Sequence, residues 1–321
     1  MSQTKRVAAI DCGTNSIRLL IADLSTDADG IKTLTDVERT MRVVRLGKGV
    51  DATGQFDPTA LKRTLEAATE YARSCREAGV ESVRFMATSA TRDASNAAEF
   101  IDGVIDIFGE FDVAPEVISG EQEAGFSFTG VTAELAGADQ ADAPYLVVDI
   151  GGGSTEFVRG NTAAEQAISL DIGCVRMTER HLLDDPPSED QVWAALADIT
   201  EAIDRASTAV DFTGISTLIG VAGSVTTVTA HALDLPAYQP ECIHGAAIDV
   251  PDLVAATNDL LRLSRTEREA LPYMHPGRVD VIGAGALIWR TVVQRLARDS
   301  GITTVRASEH DILDGIAWSQ A

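Results

Sequence analysis

The chain has 321 residues, 45% of them apolar, which is ample for two globular domains that each bury a core. Its formal net charge of −23 opposes binding to phosphate backbones, whose affinity comes from clustered Lys and Arg, and so argues against duplex nucleic acid as a partner. No apolar run approaches the ~20 residues that span a bilayer. The four cysteines (Cys12, Cys75, Cys174, Cys242) have no paired spacing and the first residues are polar, so neither a membrane span, a disulfide framework nor a zinc site is expected, and the cytoplasm is the expected compartment.

Residues 7–10 are apolar and lead into Asp11, Cys12, Gly13, Thr14, Asn15 and Ser16, after which residues 17–23 form a second strand-like run. The plan is strand, Asp-x-Gly-x-x-Ser turn, strand. Further strands are expected over 32–38 and 41–46, before the turn Gly47-Lys48-Gly49. Arg39, Arg42, Arg45 and Lys48 form a basic cluster that could contact an anion, although a solvated strand face explains it slightly better. Asp57-Pro58 opens a helix with Leu61, Leu65, Ala68 and Ala72 on one face, ending near Gly79. A strand over 82–87 then delivers a polar loop, 88–93. There Arg92 is better placed for a phosphate than an arbitrary surface arginine, because α/β proteins gather ligand groups at strand ends.

Ser119, with Gln122 three residues later, has the capping-box form and predicts a helix start that puts Glu121 in the first turn. Most such glutamates merely offset the helix dipole. An acidic, Ala/Gly-rich stretch over about 133–143 marks a domain boundary, which divides the chain into 1–138 and 139–321.

Residues 146–150 are apolar apart from Asp149 and enter Gly151-Gly152-Gly153-Ser154-Thr155-Glu156, from which a strand-like run leaves again. Glycines allow positive φ and close backbone approach, so amides can converge on an anion while Ser154 and Thr155 add hydroxyls. Asp149 would repel bare phosphate unless a hydrated Mg²⁺ stood between them. An ordinary tight hairpin explains this segment alone equally well. The copy at Asp11–Ser16 tips the balance toward a duplicated domain with two phosphate turns. A dinucleotide fingerprint fits less well, because its glycines open a helix. Later segments read as a strand at 167–170, a helix near Val175, a helix over 189–206, a strand–glycine–helix run over 217–224, helical patterns over 251–263 and 281–297, and a final helix from about Asp311.

Taken together, Ala9 to Ser16, Ala87 to Arg92, Ser119 to Ala124 and Val148 to Glu156 resemble the exopolyphosphatase / guanosine pentaphosphate phosphohydrolase family. Further matches are Gly173-Cys174-Val175-Arg176, His244-Gly245 and Arg278-Val279-Asp280-Val281. The resemblance implies an α/β fold of two ribonuclease-H-like domains, of the actin / sugar kinase / heat-shock chaperone superfamily, with an interdomain cleft and usually Mg²⁺. It also implies that Glu121 is catalytic and that Asp149, Gly151, Gly152, Ser154 and Glu156 form the second phosphate and metal motif. The site expected is therefore Glu121, orienting a water; Gly13, Thr14, Asn15, Ser16, Arg92, Gly151, Gly152, Gly153, Ser154 and Thr155, holding phosphate; and Asp11, Asp149 and Glu156, for metal. Two features depart from the pattern: Ser224 stands where the family usually has Thr, and the chain ends after two domains, which suggests the short form.

The expected activity is hydrolysis of the terminal phosphoanhydride of inorganic polyphosphate, with short chains favoured because the acidic surface repels long ones. Guanosine pentaphosphate is the alternative substrate, and the reading leaves room for a homodimer. A sugar or acetate-type kinase of the same fold should instead transfer the ATP γ-phosphate to an acceptor. An actin-like nucleotide-binding or sensing protein should bind nucleotide with little turnover; fold alone does not separate these.

Overall fold

The computed structural model describes residues 3–27, 30–135 and 142–321. It divides into two compact units, Met1–Gly130 with Ile312–Ala321, and Val131–Asp311. The expected boundary at 138/139 lies outside the described residues. At its other end the expected second domain loses the final helix to the first unit. The reason is apolar burial: Ile312, Leu313, Ile316 and Ala317 share a buried cluster with Val7, Ala9, Leu20 and Ala22.

The first unit carries β1 (Gln3–Cys12), β2 (Ser16–Thr26), β3 (Lys32–Val43), β4 (Ser82–Ala87) and β5 (Glu116–Val117), in the order β3-β2-β1-β4-β5. The β1–β2 and β2–β3 pairs are antiparallel, whereas β4 pairs parallel to both β1 and β5. Two strands were expected where β3 runs unbroken. Its partner β2 is continuous, and a register shift at Ile21/Ala22 absorbs the irregularity, so pairing overrides the local break in the apolar pattern. Successive residues of β1 serve opposite faces: Ala8, Ile10 and Cys12 join the cluster of Leu61, Ala68, Phe85 and Phe100, while Val7 and Ala9 meet the last helix.

The helix Pro58–Ala78 keeps its predicted limits. The Asp57 side chain accepts from the amides of Thr59 and Ala60, Pro58 occupies the first turn, and Gly79 closes the helix at φ 68°. Residues 88–93 were expected as a loop. Instead Ser89–Asp93 is a short helix, opened by bonds from the Thr91 and Arg92 amides to the Thr88 carbonyl.

The second unit carries β6 (Tyr145–Ile150), β7 (Thr155–Gly160), β8 (Ala164–Leu170), β9 (Thr217–Val221), β10 (Ala247–Asp249) and β11 (Thr304–Ala307). Their order is β10-β11-β9-β6-β7-β8. Read from β8, the first five repeat the first sheet in order and sense: antiparallel β8-β7-β6, then β9 and β11 parallel. Strand β10 is an added antiparallel edge. The repeat seen in two short turns thus extends to two whole sheets, the actin-like arrangement expected from the motifs. Leu146, Val148 and Ile150 of β6 are buried with Ile199, Ile203 and Trp289 of flanking helices, leaving the strand ends to carry polar chemistry.

Candidate active site

Each unit places its Asp-x-Gly turn between the first two strands of its sheet, and the two turns close alike. The Gly13 amide donates to the Ser16 carbonyl at 2.9 Å, and the Gly151 amide to the Ser154 carbonyl at 3.0 Å. Each turn is also backed by a glycine from elsewhere in its unit. A Cβ on Gly47 would lie 2.4 Å from Thr14 Cγ2, and one on Gly173 would lie 2.2 Å from the Gly152 carbonyl oxygen. A side chain at Gly173 would therefore push directly on backbone.

The helix Cys174–His181 starts against the second turn and organises it. Its Cys174 and Val175 amides donate to the Gly151 and Gly152 carbonyls, both at 2.9 Å, and Arg176 Nε donates to the Gly153 carbonyl at 2.8 Å. Carbonyls of the turn are thus drawn toward the helix. The Gly152 and Gly153 amides make no hydrogen bond among the described residues, so both keep a donor that an anion could take. Thr155, by contrast, spends its hydroxyl on the Ile172 carbonyl and is fully buried, so it braces the turn from behind. In the first turn, Asn15 accepts the Val44 and Arg45 amides at its carbonyl, at 3.0 and 2.8 Å, while its Oδ1 is buried without a partner among the described residues. A buried amide of this kind has a hydrogen bond left to make with ligand or water.

The residue opposite the aspartate differs between the two turns. In the first, Asp11 pairs in register with Arg18, whose Nε and Nη2 reach Asp11 Oδ2 at 3.0 and 2.7 Å. In the second, Asp149 stands opposite Glu156, both buried, with Glu156 Oε1 accepting from Ser169 Oγ at 2.7 Å. Arginine already neutralises the first acid. Two carboxylates directly across a strand pair repel, and a divalent cation relieves that repulsion. Among the described residues, no three His, Cys, Asp or Glu side chains gather into a protein-only metal cage. Oxygen donors of this kind suit a hard divalent cation better than zinc.

Glu121 lies in the first turn of the helix Gly120–Leu135. The predicted capping box is present: the Ser119 amide donates to Gln122 Oε1 at 2.9 Å and the Gln122 amide to Ser119 Oγ at 3.2 Å. Glu121 is exposed, and its carboxylate makes no bond among the described residues. Its neighbour Glu123 is buried and accepts from Arg92 Nη1 at 2.9 Å; the same Nη1 donates to the Ile118 carbonyl. Arg92, expected to face phosphate, is therefore anchored through one nitrogen, and its Nε and Nη2 keep their donors among the described residues.

Arg18, Arg176 and Arg278 take part in or beside these loops without having been singled out from sequence for a role. A Cβ on Gly223 would come within 2.4 Å of the Arg278 guanidinium, which also donates to Thr227 Oγ1 at 3.2 Å. Strand register could have exposed Arg18, seven residues after Asp11 across a short turn; Arg176 and Arg278 lie in two of the segments that match the family, and the match alone gave them no role. The cysteines are unpaired, and burial pushes the Cys12 thiol well above its ordinary range and raises that of Cys174, which disfavours the reactive thiolate at both. Within the basic cluster, Arg39 pairs with Asp36 and Asp314 and Arg42 with Glu70, which makes those two structural.

Comparison with known proteins agrees with this architecture. A model of the Ppx/GppA phosphatase family matches residues 24–320. Exopolyphosphatase 2 of Mycobacterium tuberculosis is 46% identical over 319 residues, 98% of each chain. A crystal structure of an exopolyphosphatase-like protein superposes at TM-score 0.93 and 44% identity, covering 99% of this chain and 98% of the other. The Aquifex aeolicus Ppx/GppA family member superposes at TM-score 0.80 and 28% identity, with 99% and 98% covered.

Proposed function

Because this chain belongs to the Ppx/GppA phosphatase family, we propose that it is an exopolyphosphatase, cleaving the terminal phosphoanhydride of inorganic polyphosphate and releasing orthophosphate. The observation that carries the reading is the second turn, whose Gly152 and Gly153 amides are left without protein acceptors while its carbonyls are held by the following helix.

Phosphoryl transfer asks a protein mainly for positioning and charge stabilisation. In this reading Gly13, Thr14, Asn15 and Ser16 hold phosphate oxygens in the first unit, and Gly151, Gly152, Gly153, Ser154 and Thr155 do so in the second. For Thr155 the contribution is through backbone, since its hydroxyl is engaged. Arg92 offers its Nε and Nη2 edge. Glu121, an exposed carboxylate on a capped helix, accepts a hydrogen bond from the attacking water and orients it. Asp149 and Glu156 would hold Mg²⁺, which when bound supplies charge neutralisation at phosphate oxygens. Asp11 is assigned to positioning through Arg18 more readily than to the metal, because Arg18 already balances its charge.

The test is orthophosphate release from short polyphosphate, long polyphosphate and guanosine pentaphosphate in parallel, with and without Mg²⁺. Release from polyphosphate at the highest kcat/KM supports the proposal. Turnover confined to guanosine pentaphosphate, or nucleotide binding without release, rejects it.

A further inference from the structure

The helices Glu189–Ala209, Val250–Arg262 and Ile282–Ser300 of the second unit border a groove of about 470 Å³, lined by Val192, Trp193, Asn258, Leu261, Arg262 and Arg290 among others. We propose that this groove binds a nucleotide, with its base stacked on the Trp193 indole and its phosphate held by Arg262 and Arg290.

Three features of the groove point to such a ligand. Trp193 is 68% exposed, an unusual position for the largest side chain in a soluble unit, and an open indole face is a stacking platform for a base. Arg262 and Arg290 make no ion pair among the described residues, although acids outnumber Lys and Arg 49 to 26 in this chain. Arg290 is half-buried, and its Nη1 donates to Asn258 Oδ1, which fixes the guanidinium while leaving Nη2 and Nε as donors. Burial first and the adjacent Arg262 second lower the Arg290 pKa, the mark of a cationic pair with no counter-ion beside it. A phosphate dianion offsets that repulsion and matches the planar donor edge of guanidinium. Glu189 also lines the groove, but it lies in the first turn of its own helix, where it offsets that helix's dipole. The volume falls in the range of small-molecule sites and suits a mononucleotide. An inorganic polyphosphate chain would leave Trp193 unused.

AMP is the probe, because it has no phosphoanhydride for the proposed hydrolase to cleave. Titration of the whole protein should quench part of the tryptophan fluorescence saturably, and Trp193→Phe should remove that response. Arg262→Gln, at an exposed position that folding tolerates, and Arg290→Gln should each weaken AMP binding by about tenfold or more, as loss of a charge-assisted hydrogen bond predicts. Gly152→Val should leave it unchanged, and polyphosphate hydrolysis should be unaffected by Arg262→Gln. The absence of saturable binding, an unaltered Kd in Arg262→Gln, or inorganic phosphate producing the same quench at the same affinity would each overturn the proposal.

Discussion

At the scale of single residues, the two acids at the start of the helix Gly120–Leu135 have opposite surroundings. Glu123 is buried against Arg92, and Glu121 projects into solvent without a protein partner among the described residues. Glu121→Gln keeps the size and the capping box but removes the negative acceptor. Turnover on polyphosphate should fall by roughly 10²-fold with KM nearly unchanged; unaltered kcat would exclude this carboxylate from the chemistry. Glu123→Gln tests a different role. It removes the charge from one of the two acceptors that anchor Arg92, so KM should rise more than kcat falls, and a pure loss of thermal stability with normal KM would make the pair structural only.

At the scale of elements, a phosphate turn depends on what packs behind it. Gly152→Val narrows the approach of phosphate to the Gly152 and Gly153 amides, so substrate affinity should drop while the fold survives. Normal affinity in that variant would mean that this turn grips nothing. Gly173→Ala acts from behind: its Cβ would stand 2.2 Å from the Gly152 oxygen, so the backbone must move. Overpacking of this kind costs about 1–3 kcal/mol. Denaturant unfolding should show that loss, together with a raised KM.

The last helix, Ile312–Trp318, offers a second element-scale test. Asp314 is 1% exposed and meets Arg39 of β3, with Nη1 to Oδ2 at 3.2 Å. Arg39→Ala removes a cationic partner from a buried carboxylate and should destabilise the first unit by about 1–3 kcal/mol, with kcat at low temperature little changed.

At the scale of the whole molecule, the charge of −23 acts on any polyanionic substrate before it reaches a site. Repulsion accumulates with each phosphate held outside the turns. At low ionic strength kcat/KM per molecule should therefore favour polyphosphates of a few phosphates over those of several hundred, and added salt at fixed Mg²⁺ should narrow the gap by screening. A preference for long chains at low salt would show that local fields override net charge.

The sequence by itself determined the elements that depend on local chemistry: the Asp57 and Ser119 caps, the glycine stop at Gly79, the two Asp-x-Gly turns and the position of Glu121 on a helix start. These follow from backbone groups satisfied within a few residues, so a short window contains the cause. Only the tertiary structure decided that β3 is one strand, since its continuity comes from pairing with β2, and that Ile312–Ala321 belongs with the first unit, since its apolar face is buried by strands some three hundred positions earlier. It also decided the chemistry of the two aspartates. Identical turn motifs put Arg18 opposite Asp11 and Glu156 opposite Asp149, because cross-strand register sets which side chain each acid meets, and the sign of that partner's charge decides whether the pair across the strands attracts or repels.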